Sequence, residues 1–337
     1  MRALAFAAIL LSLPGIAQAR EPKVGKLTTY SLPGYTLISQ DEKAAQRMIN
    51  QLPVCQAVLA SLFDQSPQPS ATPTRIWIAS HQVFERYLEA TDFATSAFAA
   101  TPAANYLLFD ASVSPEMESW NACAEFSRLY IQTQFRGNTP AWFRQGLSTL
   151  MHLTDIKGAE AFIGRRDRIA HLGWMPIEQV LSLDDAQIGP RRSGQHFELF
   201  YMFNSQSWAL VHRGLIGDPG FGQQMFSYMK RIDAGESVDR AVQSSFGMSI
   251  AALDDSMRQY HAKRKFLWVT VEFEKPAYQV LPPGQVLGRG EALELLATAM
   301  LDIGLHLRHF DEVLDAAERQ SPGSTAIRNL RRRVESQ

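Results

Sequence analysis

The sequence predicts an α+β protein in which helices predominate, with a small sheet near its amino end and a helical hairpin at its carboxyl end. Short β-branched and aromatic runs alternate with helical patterns in the first third of the chain. Longer amphipathic patterns fill the middle, and one more follows a segment rich in Pro and Gly. The 337 residues, 46% hydrophobic and 20% charged, suit one large domain with an appendage or two domains.

The segment Met1–Ala19 has the pattern of a secretory signal peptide. It contains one early Arg and an apolar run, and it ends in Ala17-Gln18-Ala19, a small-x-small cleavage site. Cleavage after Ala19 predicts a periplasmic or secreted protein. No later segment is long and apolar enough to predict a transmembrane helix.

Three strands with intervening helices are predicted before the middle of the chain. The strands are short apolar runs bounded by turn-forming residues: Tyr35–Ser39, Arg75–Ser80 and Tyr106–Phe109. A helix is predicted from Asp41 to Phe63, with acidic residues in its first turn, and another from His81 to Ala90.

Two further helical patterns follow each other within Asn121–Met151. Apolar and small residues recur every three or four positions from Trp120 to Ile131, which predicts a largely buried helix. Gly137 ends this pattern, and Pro140 suits the first turn of the next one. The sequence therefore predicts two helices that pack in succession across a short connection.

This pair of helices resembles the core of the gluzincin metallopeptidases. Peptidase-MA-like bacterial members of that family read H-E-Y-T-H, a short linker, and then P-x-W-L-x-E-G-L-A. The corresponding stretches here are Ala124–Arg128 (AEFSR) and Pro140–Ser148 (PAWFRQGLS). The resemblance extends more diffusely from about Tyr35 to Lys265, and it implies a zincin-like domain over residues 20–278.

The same resemblance implies the positions of a zinc site. In an active gluzincin two His and a Glu bind zinc, and the Glu after the first His activates the metal-bound water. The matching ligand positions hold Ala124, Arg128 and Gln145, and the base matches Glu125. A methyl group, a guanidinium and an amide are not zinc ligands. We therefore expect no zinc and no other cofactor, with Glu125 a vestigial base paired with Arg128 or another cation.

Two aromatic residues complete the implied site. Trp142 belongs to the second matched motif, and with Ala124, Arg128 and Gln145 it would line a vestigial binding cleft. Tyr201 lies in a region from which gluzincins can supply an oxyanion-stabilising Tyr or His, so it is a possible former oxyanion stabiliser. Without a metal, the favoured interpretation of Tyr201 is core packing.

The end of the chain predicts a separate helical unit. Phe266–Phe273 predicts an isolated strand, and residues 279–290 predict a linker because they contain Pro and Gly. Residues 291–337 resemble a tetratricopeptide-type helical hairpin with a following helix. One such repeat cannot bury its own face, so it should pack on the main domain or on a partner.

The chain has two cysteines, Cys55 and Cys123. In an exported protein they could form one disulfide, but spacing does not show whether they meet. The favoured interpretation is two buried small hydrophobic residues, and a single bridge is the alternative.

Composition and motifs restrict the function. The net charge is −1 and basic blocks are absent from the sequence, so nothing indicates a nucleic-acid partner. The sequence has no phosphate-binding Gly loop and no G-x-S-x-G elbow. The leading hypothesis is an inactive, peptidase-like exported protein that binds a peptide or protein through its vestigial cleft. The alternatives are an active zinc metallopeptidase with non-standard ligands and Glu125 as general base, and a purely structural envelope protein.

Overall fold

The computed structural model describes residues 21–65, 67–88, 94–135, 137, 139–164, 173–188, 194–263, 265–304 and 309–335. Within these ranges the fold is α+β and helices predominate, as the sequence predicts. The predicted signal peptide, Met1–Ala19, lies outside them. Across the described ranges, no helix has both the length and the apolar character needed to cross a membrane.

Nine strands in the described part of the chain form two sheets. They are β1 (Thr28–Leu32), β2 (Tyr35–Ser39), β3 (Thr74–Ala79), β4 (Ser96–Ala100), β5 (Asn105–Asp110), β6 (Asp155–Lys157), β7 (Glu160–Ile163), β8 (Val269–Glu272) and β9 (Gln285–Val286). The larger sheet has the order β4-β5-β3-β2-β1-β9. Its central strands β2, β3 and β5 are parallel, and the outer strands are antiparallel to their neighbours. The smaller sheet, β6-β7-β8, is antiparallel.

Helices pack on both faces of the larger sheet and on one another. They are α1 (Glu42–Phe63), α2 (His81–Val83), α3 (Pro115–Gln134), α4 (Ala141–His152), α5 (Ile177–Ser182), α6 (Asp185–Ile188), α7 (Gly194–His212), α8 (Pro219–Asp233), α9 (Val238–Phe246), α10 (Ile250–His261), α11 (Arg289–Ile303), α12 (Phe310–Gln320) and α13 (Thr325–Glu335). Five-residue π-helical turns continue α2 and α7, at Phe84–Leu88 and Arg213–Gly217.

The first helix begins where its sequence predicts. A carboxylate oxygen of Asp41 accepts hydrogen bonds from the amides of Lys43 and Ala44, at 2.8 and 3.1 Å. These amides have no partner within the helix, so Asp41 caps its start. The three predicted strands are present as β2, β3 and β5, each within one residue of its expected bounds.

The larger sheet lies between two apolar layers. In β3, Ile76 and Ile78 belong to one core with α1, α3, α4 and α7, and Trp77 and Ala79 belong to a second core with α11, α12 and α13. Successive side chains of a strand point to opposite faces, so the uninterrupted run of β3 reflects burial on both sides.

The carboxyl-terminal helices pack directly on the sheet. The hydroxyl of Tyr106 in β5 donates a 2.6 Å hydrogen bond to Asp302 in α11, and Arg333 in α13 donates another of 2.7 Å to the same carboxylate. Residues 279–290, predicted as a linker, contain β9, which pairs with β1. The backbone of Gln279 in that segment also hydrogen-bonds with Asn50 of α1.

The strand predicted within Phe266–Phe273 is not isolated. Its central residues form β8, which pairs antiparallel with β7 in the smaller sheet. Because β6 and β7 have only three and four residues, they show too little alternation to be predicted as partners.

The favoured interpretation of the two cysteines is wrong, because Cys55 and Cys123 form a disulfide. The bond links α1 to α3, and the two Cα atoms are 5.0 Å apart. Both residues are also fully buried in the core, so the burial was expected correctly and the covalent pairing was not. The 68-residue separation leaves no local pattern from which the pairing could be read.

Candidate functional site

The matched gluzincin stretches lie on two helices in contact, α3 and α4. α3 carries Ala124, Glu125 and Arg128, and α4 carries Trp142 and Gln145. The hydroxyl of Ser114 caps the start of α3, with Pro115 in its first turn. α4 follows directly after Pro140. A side-chain cap therefore marks the start of α3, and Pro140 marks the start of α4.

Arg128 connects the two helices. Its Nη2 donates a 2.6 Å hydrogen bond to Oε1 of Gln145, and its Nε donates one of 3.1 Å to the hydroxyl of Ser148. The same Nε lies 3.5 Å from Oε2 of Glu125. We call Glu125, Arg128, Gln145 and Ser148 the Arg128 cluster.

Glu125 is a nearly buried carboxylate, with 5% of the residue exposed. Its Oε1 accepts a 2.8 Å hydrogen bond from the hydroxyl of Ser96 in β4. Its Oε2 accepts no hydrogen bond from any described residue and faces Arg128. A buried carboxylate needs such a compensating cation, so the pair is consistent with a structural role for Glu125.

Close packing of α4 on α7 depends on Gly146, the residue after Gln145. A side chain at this position would overlap the backbone oxygen of Ser207 and the side chain of Val211, both in α7. Gly146 therefore allows the backbones of α4 and α7 to approach each other, and this places the second matched motif.

The other candidate residues have different surroundings. Ala124 is buried, and its carbonyl accepts a 2.7 Å hydrogen bond from the hydroxyl of Ser127. Trp142 is fully buried and packs edge-on against Phe143, so it belongs to the core. Tyr201 is half-buried on α7, and its ring lies 5.6 Å from that of Phe200. The structure thus gathers Glu125, Arg128 and Gln145, with Ala124 beside them on α3.

Sequence reasoning missed two residues that contact this group. Ser148 follows Gln145 by three positions on α4, so helical spacing could have identified it. Ser96 lies in β4, a short strand of small residues far from Glu125 in the sequence. No local pattern points to it.

The residues at the matched positions do not fit a zinc ion. Ala124 has no donor atom, Gln145 offers a neutral amide oxygen, and the guanidinium of Arg128 is a permanent cation that repels a dication. Among the described residues, no group of three or more His, Cys, Asp or Glu is placed to hold a metal ion. The zinc chemistry of the resemblance therefore has no ligand set at this position.

No protein-family model matches the chain, and no curated protein matches it significantly. The resemblance to gluzincins depends on the two matched stretches quoted above.

Proposed function

We propose that this chain is a catalytically inactive, gluzincin-like exported protein that binds a peptide or protein through its vestigial cleft. The main supporting observation is the position of the Arg128 guanidinium. It lies between Glu125 and Gln145, hydrogen-bonded to the amide at 2.6 Å and 3.5 Å from the carboxylate. In the resemblance, these residues match the catalytic base and two of the zinc ligands.

The chemistry of this arrangement favours a structural role for these residues over a catalytic one. A guanidinium can neutralise Glu125, but it cannot lower the pKa of a water molecule as a bound zinc ion does. The carboxylate that would take the proton from water is also engaged by the hydroxyl of Ser96. The Arg128 cluster thus joins α3, α4 and β4 and has no means of activating water.

The edge strand β4 borders the vestigial cleft through the hydrogen bond between Ser96 and Glu125, and it offers a surface for an extended peptide. β4 is the last strand of its sheet and, among the described strands, pairs only with β5. The amide of Asp110 donates to the carbonyl of Thr95, at 3.0 Å. Because antiparallel pairs alternate, the amides of Ser96, Phe98 and Ala100 then point away from β5. Such an edge can take up an extended peptide as an added strand.

A peptide-selection experiment tests this binding mode. A random decapeptide library displayed on phage would be selected against the wild-type protein, and enriched peptides would be measured by calorimetry. Ala100→Pro removes a backbone amide that points away from β5, so it should lower the affinity for the enriched peptides by about tenfold or more. Ala100→Val keeps the amide and should bind them as the wild type does. Equal binding by the wild type and Ala100→Pro, or no enriched peptide, would overturn the proposal.

A metal and activity measurement tests the loss of catalysis. The purified mature protein should contain no stoichiometric zinc, and Glu125→Gln should leave any peptide-hydrolysis rate unchanged. Stoichiometric zinc, together with a rate that Glu125→Gln abolishes, would instead support the active-peptidase alternative.

A further inference from the structure

We propose that a partly open pocket between α1, α3, the amino ends of β2 and β3 and the loop of residues 67–70 binds an uncharged, mainly apolar small molecule with one hydrogen-bonding head group. Its volume is about 490 Å³, within the roughly 300–1,000 Å³ of small-molecule sites. No residue of the Arg128 cluster or of β4 lines it. The site is therefore separate from the proposed peptide-binding edge.

Two helices supply the apolar body of this cavity. Ile49 and Leu52 line it from α1, and Phe126 and Leu129 line it from α3. Each pair has a spacing of three residues, which places both side chains on the same face of their helix. All four residues are buried. The two helices therefore present facing apolar walls, which favour a ligand that is largely hydrocarbon.

The lining carries no charge. None of the described residues that line the cavity is Asp, Glu, Lys, Arg or His, although 20% of the chain is Asp, Glu, Lys or Arg. An ionised ligand would lose its hydration here without gaining an ion partner, which is unfavourable. The lining therefore disfavours ionised carboxylates and protonated amines, and it favours a neutral molecule.

Thr74 supplies an unsatisfied polar group at one end. Only 3% of this residue is exposed, and its hydroxyl has no hydrogen-bond partner among the described residues. In β3, Thr74 is on the same face as Ile76 and Ile78, towards α1 and α3. A buried hydroxyl without a partner is unfavourable, so Thr74 would gain a hydrogen bond from a ligand oxygen placed beside it.

A second polar group stands near Thr74. The hydroxyl of Tyr35 accepts a 2.7 Å hydrogen bond from the side-chain amide of Gln56, and both residues line the cavity. A phenol both accepts and donates, so Tyr35 can give its own proton to a ligand oxygen. Burial raises the pKa of Tyr35, which keeps the phenol protonated. One hydroxyl or carbonyl on the ligand would then be recognised by Thr74 and Tyr35 together.

Displacement of an uncharged fluorophore tests the ligand class. The wild-type protein would be titrated with N-phenyl-1-naphthylamine, followed by 1-alkanols, octanoate and octylamine at neutral pH. We expect saturable binding, with alkanol affinity rising about fourfold per added methylene. Octanoate and octylamine should bind about tenfold more weakly than 1-octanol or worse. Absence of saturable fluorophore binding, or equal displacement by octanoate, would overturn the proposal.

Single substitutions test the position of the ligand. Thr74→Val replaces only the hydroxyl, by a methyl group. It should therefore weaken the binding of 1-octanol by about threefold or more and leave the binding of 1-chlorooctane unchanged. Thr36→Val, on an exposed position of β2, should change neither affinity. An equal loss of affinity for both compounds in Thr74→Val would overturn the assigned head-group contact.

A filling variant tests the cavity itself. Thr133 of α3 is half-buried and lines the cavity, so Thr133→Phe should abolish fluorophore binding. Its urea midpoint would be measured to show that the variant is folded. Unchanged fluorophore binding by folded Thr133→Phe would place the ligand elsewhere and overturn the proposal.

Discussion

The disulfide between Cys55 and Cys123 ties the middle of α1 to α3 two residues before Glu125. Its closed loop is long, with a sequence separation of 68 residues, so the bond strongly restricts the unfolded chain. The double variant Cys55→Ala and Cys123→Ala should lose about 2–4 kcal/mol of unfolding free energy. Urea unfolding followed by circular dichroism measures this loss. The variant should be insensitive to dithiothreitol, and a loss close to zero would contradict the prediction.

Replacing Arg128 should destabilise the contact between α3 and α4. Arg128→Met leaves Oε1 of Gln145 without its donor and the buried carboxylate of Glu125 without its neighbouring cation, at an expected cost of about 1–3 kcal/mol. The Arg128 side chain is 29% exposed, so water should partly compensate and favour the lower half of that range. Urea unfolding measures the change.

A double-mutant cycle separates the charge from the packing. Glu125→Gln removes the buried charge, so adding it to Arg128→Met should recover part of the lost stability. Strictly additive losses would show that the two residues do not interact, contrary to the structure.

Restoring the matched ligands should create a zinc site if the resemblance in geometry is correct. The triple variant Ala124→His, Arg128→His and Gln145→Glu supplies two imidazoles and a carboxylate on α3 and α4. We expect stoichiometric zinc with a dissociation constant of about 1 μM or tighter. Calorimetry and metal analysis measure this. A matched control that also carries Glu125→Gln should bind zinc equally, and a folded triple variant without zinc uptake would contradict the assumed placement.

Acid should destabilise the protein partly through His212. This residue is fully buried, and its Nδ1 lies 2.7 Å from the hydroxyl of Tyr260. Its Nε2 lies 2.9 Å from the carbonyls of both Gly164 and Leu267, so the neutral ring donates from Nε2 and accepts at Nδ1. Burial lowers the pKa of His212, and the backbone hydrogen bonds with Leu267 and Gly164 offset this effect only in part.

The sign of the pH effect follows from that lowered pKa. The unfolded chain binds protons more readily than the folded one, so stability is fully present above about pH 6.5 and falls as the pH drops towards the folded pKa. Burial lowers the pKa of His152 in the same way. Each residue adds at most about 1.4 kcal/mol per pH unit. Urea midpoints from pH 7.5 to 5 should fall less steeply for His212→Gln, and an unchanged slope would contradict this assignment.

The parts of the fold that could be predicted are those determined by neighbouring residues. Asp41 caps α1 by accepting hydrogen bonds from amides two and three positions later, and the helix predicted from Asp41 begins at the next residue. The apolar run of β3 likewise identifies a strand buried on both faces. The helix pair α3 and α4 follows from the spacing around Gly137 and Pro140.

The parts that could not be predicted depend on contacts between distant residues. β4 is a run of small residues and becomes a strand through its pairing with β5. Glu125 could be paired with Arg128 from helical spacing, but its hydrogen bond to Ser96 could not. The disulfide was missed for the same reason. Sequence patterns thus placed the matched residues on their helices and left their partners on distant elements open.

Because β9 pairs with β1, the larger sheet cannot be completed until the end of the chain has been synthesised. The hydroxyl of Thr29 contacts the carbonyl of Gln285 across 256 residues, and Val24 and Leu27 share a core with the last three helices. A polypeptide emerging from the ribosome therefore carries an open sheet edge and an uncovered apolar surface until its final segment has been made. A chain that ended before Gln285 would lose order at its amino terminus as well as at its new end.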